Sequence, residues 1–408
     1  MNIGFLSSFD PSDPDAKSGM PYSMYRALRA QGCRIVPFVP AENQLRWHRR
    51  VRSTMARFVS PPVKNAVKQL LGLEPQARVA PAPVDQDWLY RRTWAEASRT
   101  SQEILNRVHG SKLDVLFGCC VSVVLCQLDI DIPIVYFSDS TTRLIFDTYP
   151  QFRAEPEGLR RACEEIEFEA LRRTSMAVFA TELARASAIG DYGVRADRAF
   201  AVPMGGNIAS QHIGPDTLPG ETPSRESIRL VMTAADPIRK QLNLAIDAIE
   251  ALRRNGWAAE LDLIGSPTAR AEAHPHVRCL GRLTLATASG RRRNREALRH
   301  SHLMILPSLG EAFGIAPCEA ALLGKPSIVS AVGGLPEVVL HDVTGIVMAT
   351  GATGEDYARA IAELAEQPER YRTMAAAAAT RARETFTWER WGERLLEIME
   401  RARSMKKD

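Results

Sequence analysis

Two glutamates with seven residues between them, Glu311 and Glu319, bracket the stretch of this 408-residue chain that is richest in chemistry. It reads His302-Leu-Met-Ile-Leu-Pro-Ser-Leu-Gly-Glu311-Ala-Phe-Gly314-Ile-Ala-Pro317-Cys-Glu319-Ala-Ala-Leu-Leu-Gly324. The pattern predicts a strand ending at Pro307, a tight loop, and a helix with Pro317 in its first turn and Gly324 at its end. Such a helix start presents the backbone N–H groups of Phe313, Gly314 and Ile315. These are free donors at the positive end of a helix dipole, suited to phosphate or anionic oxygen. Gly314 lets the backbone approach a ligand closely. Glu311 in the loop and Glu319 in the first helical turn can face one pocket and accept hydrogen bonds from sugar or ribose hydroxyls. Taken singly, either glutamate reads more readily as a solvated charge that favours a helix start; the whole stretch argues for a site.

Other residues have matching chemistry. Arg239 and Lys240 follow the apolar run Ile228–Thr233, where two cations at a strand-to-helix turn can clamp a diphosphate or merely cap a surface turn. Gly19 lies in Ser18-Gly19-Met20-Pro21-Tyr22, between the first strand and the first helix. Asp139, in Tyr136-Phe-Ser-Asp139-Ser-Thr, sits just beyond a strand, where it lines a pocket or caps the next helix. Asp129-Ile-Asp131 has the form of a metal-binding pair but precedes an ordinary strand, and no metal is expected. No dedicated nucleophile is apparent. The seven cysteines, an odd number without a paired spacing or nearby histidines, read as reduced core residues of a cytoplasmic protein.

The frame Glu311-Ala-Phe-Gly-Ile-Ala-Pro-Cys-Glu319, followed by Ala-Leu-Leu-Gly-Lys-Pro, then Gly333-Gly334-Leu-Pro-Glu-Val-Val and Thr344-Gly345, resembles the signature of glycosyltransferase family 4. The resemblance implies an α/β protein of the GT-B fold, two Rossmann-like domains with mostly parallel sheets facing across a cleft. It also implies retaining transfer of a sugar from a nucleotide-diphosphate sugar to a saccharide or lipid-linked acceptor, in cell-surface polysaccharide or glycoconjugate biosynthesis. By the same resemblance Glu311 contacts the donor sugar, Glu319 the ribose, and the amides of Phe313, Gly314 and Ile315 help hold the sugar. Lys240 and Arg239 fall to the phosphates, Gly19 passes close to them, and Asp139 lines the sugar pocket. Glu311, Asp139 and Lys240 are thus the catalytic candidates, and no cofactor beyond the donor substrate is implied. The chain departs from the family pattern at Ala235, near a usual Arg, and at Gln241, which replaces a Gly. Another activity on the same fold, such as nucleotide-sugar epimerisation, or non-catalytic binding of a nucleotide sugar, is the competing expectation.

Positioning these residues requires strands alternating with helices. Short apolar runs predict strands at 2–6, 33–39, 113–118, 133–138, 176–180 and 199–203, with helices such as 21–31 and 157–173 between them. After the polar stretch Asn207 to Ser227 the alternation restarts, with strands at 228–234, 261–265, 277–281, 302–307, 326–330 and 345–348. Helices are predicted near 241–255, 291–300, 317–323 and 355–366. The expected organisation is an acceptor-side domain over 1–206, a linker over 207–227 and a donor-binding domain over 228–387, with a helix from 388 packing back on the first. Ligands of such sheets sit at the carboxyl ends of the strands.

Composition agrees with a soluble globular chain: 45% apolar and 25% charged residues. Met1 runs straight into Ile3-Gly4-Phe5-Leu6, which reads as a first strand and not a signal peptide. No apolar run approaches the roughly 20 residues of a membrane span. The net charge of +4 is concentrated, because residues 41–80 hold eight Lys or Arg against two Glu. Trp47, Val51, Met55, Phe58 and Val59 interleave with those cations, as in a segment docking on an anionic membrane surface; a solvated excursion beside the acceptor cleft is the alternative. Nucleic acid is not expected as a partner, for no aromatic platform accompanies the charge. The chain is expected in the cytoplasm, peripheral at the inner face of the membrane.

Overall fold

The computed structural model describes residues 1–40, 94–213 and 221–405. The basic segment 41–80, with the membrane expectation attached to it, lies outside the described residues.

The first half alternates as β1 (Asn2–Ser7), α1 (Met20–Ala30), β2 (Arg34–Phe38), α2 (Trp94–Val108), β3 (Val115–Cys119), β4 (Ile134–Ser138), α3 (Thr142–Thr148), α4 (Glu157–Arg173), β5 (Met176–Phe179), α5 (Glu182–Gly190) and β6 (Ala199–Ala201). The second continues with β7 (Ile228–Ala234), α6 (Leu242–Arg254), β8 (Ala259–Gly265), β9 (Val277–Gly281), α7 (Ala288–His300), β10 (Leu303–Leu306), α8 (Ile315–Leu322), β11 (Ser327–Ser330), β12 (Gly345–Met348), α9 (Gly354–Ala365), α10 (Pro368–Thr385) and α11 (Trp388–Ser404). Every expected strand forms, with its ends moved by no more than two residues. Runs such as Val115–Cys119 and Leu303–Leu306 are buried throughout, as parallel strands covered by helices on both faces must be. Helices α2, α3, α5 and α10 are additions to those predicted.

The strands form two six-stranded sheets, in the orders β2-β1-β3-β4-β5-β6 and β12-β11-β10-β7-β8-β9, and each neighbouring pair is parallel. Strand order reverses between β1 and β3 in one sheet and between β7 and β10 in the other. At such a point successive crossovers diverge to opposite faces, which opens a crevice beyond the carboxyl ends of the strands. The loops after β1, β3, β7 and β10 carry Gly19, Cys120, Lys240 and Glu311.

Helix α11 crosses back onto the first sheet. The Trp391 ring meets Phe117 and Phe137 edge-on at 6.0 and 5.8 Å, and Gly392 permits close approach to Ala27 of α1. Helix α9 opens on a capping box in which the Thr353 hydroxyl accepts from the Asp356 N–H and the Asp356 carboxylate accepts from the Thr353 N–H. We expect Thr353→Ala to lower stability by about 1 kcal/mol, read as a shift in the urea midpoint.

Candidate active site

Strand β10 delivers the chain to the loop of residues 307–314, and α8 begins at Ile315 with Gly314 as its cap at φ 113°. That left-handed geometry suits glycine, and a Cβ there would lie 2.7 Å from the Leu335 side chain. Because the helix opens at Ile315, Glu319 is its fifth residue. It stands in the second turn and not, as the position of Pro317 suggested, in the first. Pro317 is still tolerated, since the first N–H groups of a helix have no intrahelical partner. The Phe313 side chain is buried edge-on to Phe386, so only its backbone is available to a ligand.

Glu311 is buried between two cations. Its Oε1 lies 3.0 Å from Lys240 Nζ and 3.0 Å from Arg239 Nη1, and it accepts from Ser308 Oγ at 3.1 Å. Burial by itself would raise the pKa of this carboxyl; Lys240 and Arg239 reverse that and hold it at about 2. Lys240 and Arg239 reach this point from the turn after β7, closed by bonds from Lys240 N–H to Asp236 O and from Gln241 N–H to Ile238 O. Gln241 adopts φ 51° as the cap of α6, so the conformation a glycine would favour is kept although the glycine is absent.

The two cations are not equivalent. Arg239 also donates to Gly310 O at 2.5 Å, lies 3.6 Å from Asp236 and stacks over the Tyr149 ring at 5.4 Å. Lys240 is held by Glu311 alone among the described residues. Lys240 is therefore the freer to swing toward an incoming anion.

Glu319 has a different environment. It is buried, accepts the Asn207 N–H at 3.1 Å and is also hydrogen-bonded by the Asn294 side chain. Burial dominates and pushes its pKa up to about 7. A Cβ on Gly206 would fall 3.0 Å from Glu319 N, which explains glycine at that position. Asn207 is the residue that sequence reasoning missed. Its Nδ2 donates to Ser18 O at 2.9 Å, and its Oδ1 accepts from Ser23 Oγ at 3.0 Å and Trp388 Nε1 at 3.1 Å. The first residue of the expected linker thus joins the loop before α1, α1 itself, α11 and Glu319; its only sequence signal is the Gly205-Gly206 pair before it.

On the opposite wall, Lys17, Ser18 and Gly19 take φ values of 45°, 58° and 76° in succession, a costly backbone for the first two. Lys17 Nζ lies 3.5 Å from Asp139. Burial opposes the lysine's charge, but Asp139 together with Cys120 and Cys119 outweighs it, so its pKa is raised. Asp139 does not cap the next helix: Thr141 does, accepting from the Leu144 N–H at 3.3 Å. Cys120 Sγ lies 3.7 Å from Asp139 Oδ1, and a hydrogen bond with Cys119 lowers the Cys120 pKa to about 7.

The two walls touch at several points. Asp15 accepts from the Leu285 N–H at 2.6 Å and from Thr284 Oγ1. Glu337 accepts from Glu182 N–H at 2.7 Å and Leu183 N–H at 2.8 Å, where an anion complements the positive end of α5. Tyr149, in the first half, accepts from the Ala312 N–H at 2.9 Å. Burial chiefly raises its pKa, and Glu311, Arg239 and Asp139 all act on it, so candidates from both walls converge there. Glu311, Lys240, Arg239 and Glu319 come together on one side, Gly19 and Asp139 on the other. Asp129 and Asp131 are exposed before β4, at the far end of the sheet. Among the described residues no group of three or more His, Cys, Asp or Glu is arranged to hold a metal, and no helix is long and apolar enough to cross a membrane.

Residues 220–381 match the model of a family described as "Glycosyl transferases group 1". A D-inositol 3-phosphate glycosyltransferase of Rhodococcus erythropolis is 33% identical over 164 residues, 38% of this chain and 37% of its own length. One of Kineococcus radiotolerans is 27% identical over 244 residues, 54% of this chain and 56% of its own. The matched stretches thus span little more than half of these relatives at most. Among solved structures, the sucrose-phosphate synthase of Thermosynechococcus elongatus superposes with a TM-score of 0.66 at 15% identity, covering 99% of this chain and 100% of that one. Anabaena HepE in complex with UDP and glucose superposes with 0.62 at 16% identity, covering 98% and 99%. At these identities the likeness establishes the fold, which is GT-B.

Proposed function

We propose that this protein is a retaining glycosyltransferase that moves a sugar from a nucleotide-diphosphate donor, held against the second half, to a hydroxyl of a saccharide or lipid-linked saccharide on the first. The match of residues 220–381 to a glycosyl transferase family supports the class. The observation that carries the chemistry is the buried Glu311 carboxylate set against Lys240 and Arg239. A diphosphate entering the crevice competes with Glu311 for Lys240. The ammonium then neutralises the charge that develops on the leaving diphosphate, and the released carboxylate accepts from the sugar hydroxyls. The amides at the start of α8 face the same anion, and Glu319 takes the ribose hydroxyls.

The bond from the anomeric carbon to the phosphate oxygen breaks, and the acceptor oxygen bonds that carbon on the same face. The acceptor proton passes to the departing phosphate, since among the described residues no side chain is set as a covalent nucleophile. Contacts such as Asp15 with Leu285 and Glu337 with α5 keep the walls together, exclude water and hold the reactants in line. The basic segment 41–80 supports a peripheral position on the inner face of an anionic membrane, beside a lipid-linked acceptor.

Thermal shift with a panel of nucleotide sugars identifies the donor, because a bound ligand raises apparent stability by mass action. With that donor, Lys240→Ala and Glu319→Ala should each lower turnover at least about tenfold, or roughly 1.4 kcal/mol; near-normal rates in both remove the assignment. Incubation of donor without acceptor separates transfer from epimerisation. Replacing Arg46, Arg49 and Arg50 by Glu should reduce co-sedimentation with anionic liposomes, and unchanged partitioning argues against the membrane role.

A further inference from the structure

A second cluster of charge lies where β7, β10 and β11 begin, at the end of the second sheet away from the crevice. Side chains alternate along strands, so Arg229, His302 and Ser327 share a face with Val231, Met304 and Val329, which pack in one core cluster with Ala297 and Leu298 of α7. Helix α7 brings Arg299, and the turn after α8 brings Lys325. The ring of His302 accepts the Arg229 N–H at its Nδ1, 3.1 Å away. Burial holds its pKa near 4, so the ring is neutral and its proton sits on Nε2.

That Nε2–H is buried and has no partner among the described residues, and neither has the buried Ser327 hydroxyl. Lys325 is 5% exposed, and its ammonium makes no ion pair among the described residues. Burial, with Arg229 and Arg299 nearby, depresses it to about 8. Among the described residues Glu221 is the one acid acting on Lys325, and it is already bonded to Arg229 at 2.7 Å with its side chain 76% exposed. Each group left unsatisfied here can donate, and among the described residues three cations face a single acid.

We propose that this end of the second sheet binds a small multiply charged oxyanion, inorganic phosphate or sulfate, seated between Lys325, His302 Nε2 and Ser327 Oγ and drawn in by Arg229 and Arg299. Lys325, His302 and Ser327 are each at most 5% exposed, so a nucleotide could not enter between them, whereas a small ion requires only a shift of the Lys325 side chain. The place is distinct from the crevice. Arg229 precedes Ala234 at the cleft end of β7 by five residues, roughly 17 Å of strand. Bound there, the ion ties the starts of three strands to α7 and stabilises the half that carries Lys240 and Glu311. This inference does not depend on the proposed sugar transfer.

The test is thermal unfolding in chloride buffer with added inorganic phosphate. Wild type and Lys240→Ala, which lacks the crevice lysine, should both rise by several degrees, and Lys325→Met should lose the rise. Should Lys325→Met not fold, Arg299→Ala, at an exposed position, should weaken the apparent phosphate affinity about threefold, the effect of one exposed charge. A rise kept in full by Lys325→Met and Arg299→Ala, or lost in Lys240→Ala, places the ion in the crevice and overturns the proposal. No rise in wild type means that water alone fills the cluster, and overturns it as well. A rise with glucose 6-phosphate equal to that with phosphate contradicts the size argument.

Discussion

Glu311→Ala should destabilise the fold by about 3–5 kcal/mol, besides removing activity, because it strips the counter-ion from buried Lys240 and leaves Arg239 with Asp236 alone among the described acids. The Lys240 and Arg239 side chains are only 12% and 17% exposed, so water can replace little of what the carboxylate supplies. Ser308 Oγ loses its acceptor as well. Lys240→Ala is milder for the fold, because Glu311 keeps Arg239 and Ser308. The double variant Glu311→Ala/Lys240→Met should recover part of the loss, since it removes one uncompensated charge, and a double-mutant cycle measures that coupling. A nucleoside diphosphate should stabilise Glu311→Ala more than wild type, as its charge takes the vacated place. A urea midpoint for Glu311→Ala close to wild type would mean that the cations rotate into solvent, and the clamp reading would then fail.

Acid should act on this residue in one direction. Its folded pKa of about 2 lies below the ordinary 4.5, so its contribution is complete above 4.5 and is lost as pH falls toward 2.

Glu319→Gln should stabilise the fold near neutral pH while it lowers turnover. With a folded pKa of about 7 against 4.5 unfolded, the folded state binds the extra proton between those values. Stability from this group is therefore greatest below 4.5 and declines as pH rises to about 7, by a total on the order of 3 kcal/mol. Glutamine stays neutral and keeps an oxygen to accept the Asn207 N–H. The stability difference between variant and wild type should grow from pH 4.5 to 7, leaving Glu319→Gln the more stable at pH 8 although its turnover is reduced. Equal unfolding midpoints across that range would show that Glu319 ionises freely. In wild type, donor binding near pH 7 should release a proton, since ribose hydroxyls favour the charged carboxylate. Calorimetry in buffers of different ionisation enthalpy reads that proton.

Much of this was legible beforehand because it is local. Twelve short runs separated by amphipathic stretches specify two parallel sheets, since each run is too short for a buried helix and central ones such as Val115–Cys119 and Leu303–Leu306 are too uniformly apolar for a strand with one wet face. The loop from Pro307 to Gly314 and the pair Arg239–Lys240 follow such runs directly, so their place at the strand ends came with the alternation. The capping of α3 was less certain because Asp139, Ser140, Thr141 and Thr142 all have side chains able to cap, and only the backbone path selects Thr141.

By itself, then, the chain's order of residues determined the two Rossmann-like halves and which residue types stand at the carboxyl ends of their strands, because period and turn chemistry act over a few neighbours. Only the tertiary structure decided that Glu311 is neutralised by Lys240 and Arg239, that Glu319 is buried enough to titrate near 7, and that Asn207 ties both halves to it. Those facts depend on how groups more than 70 residues apart, or more than 100, exclude water from one another, and burial of that kind has no signature in local spacing.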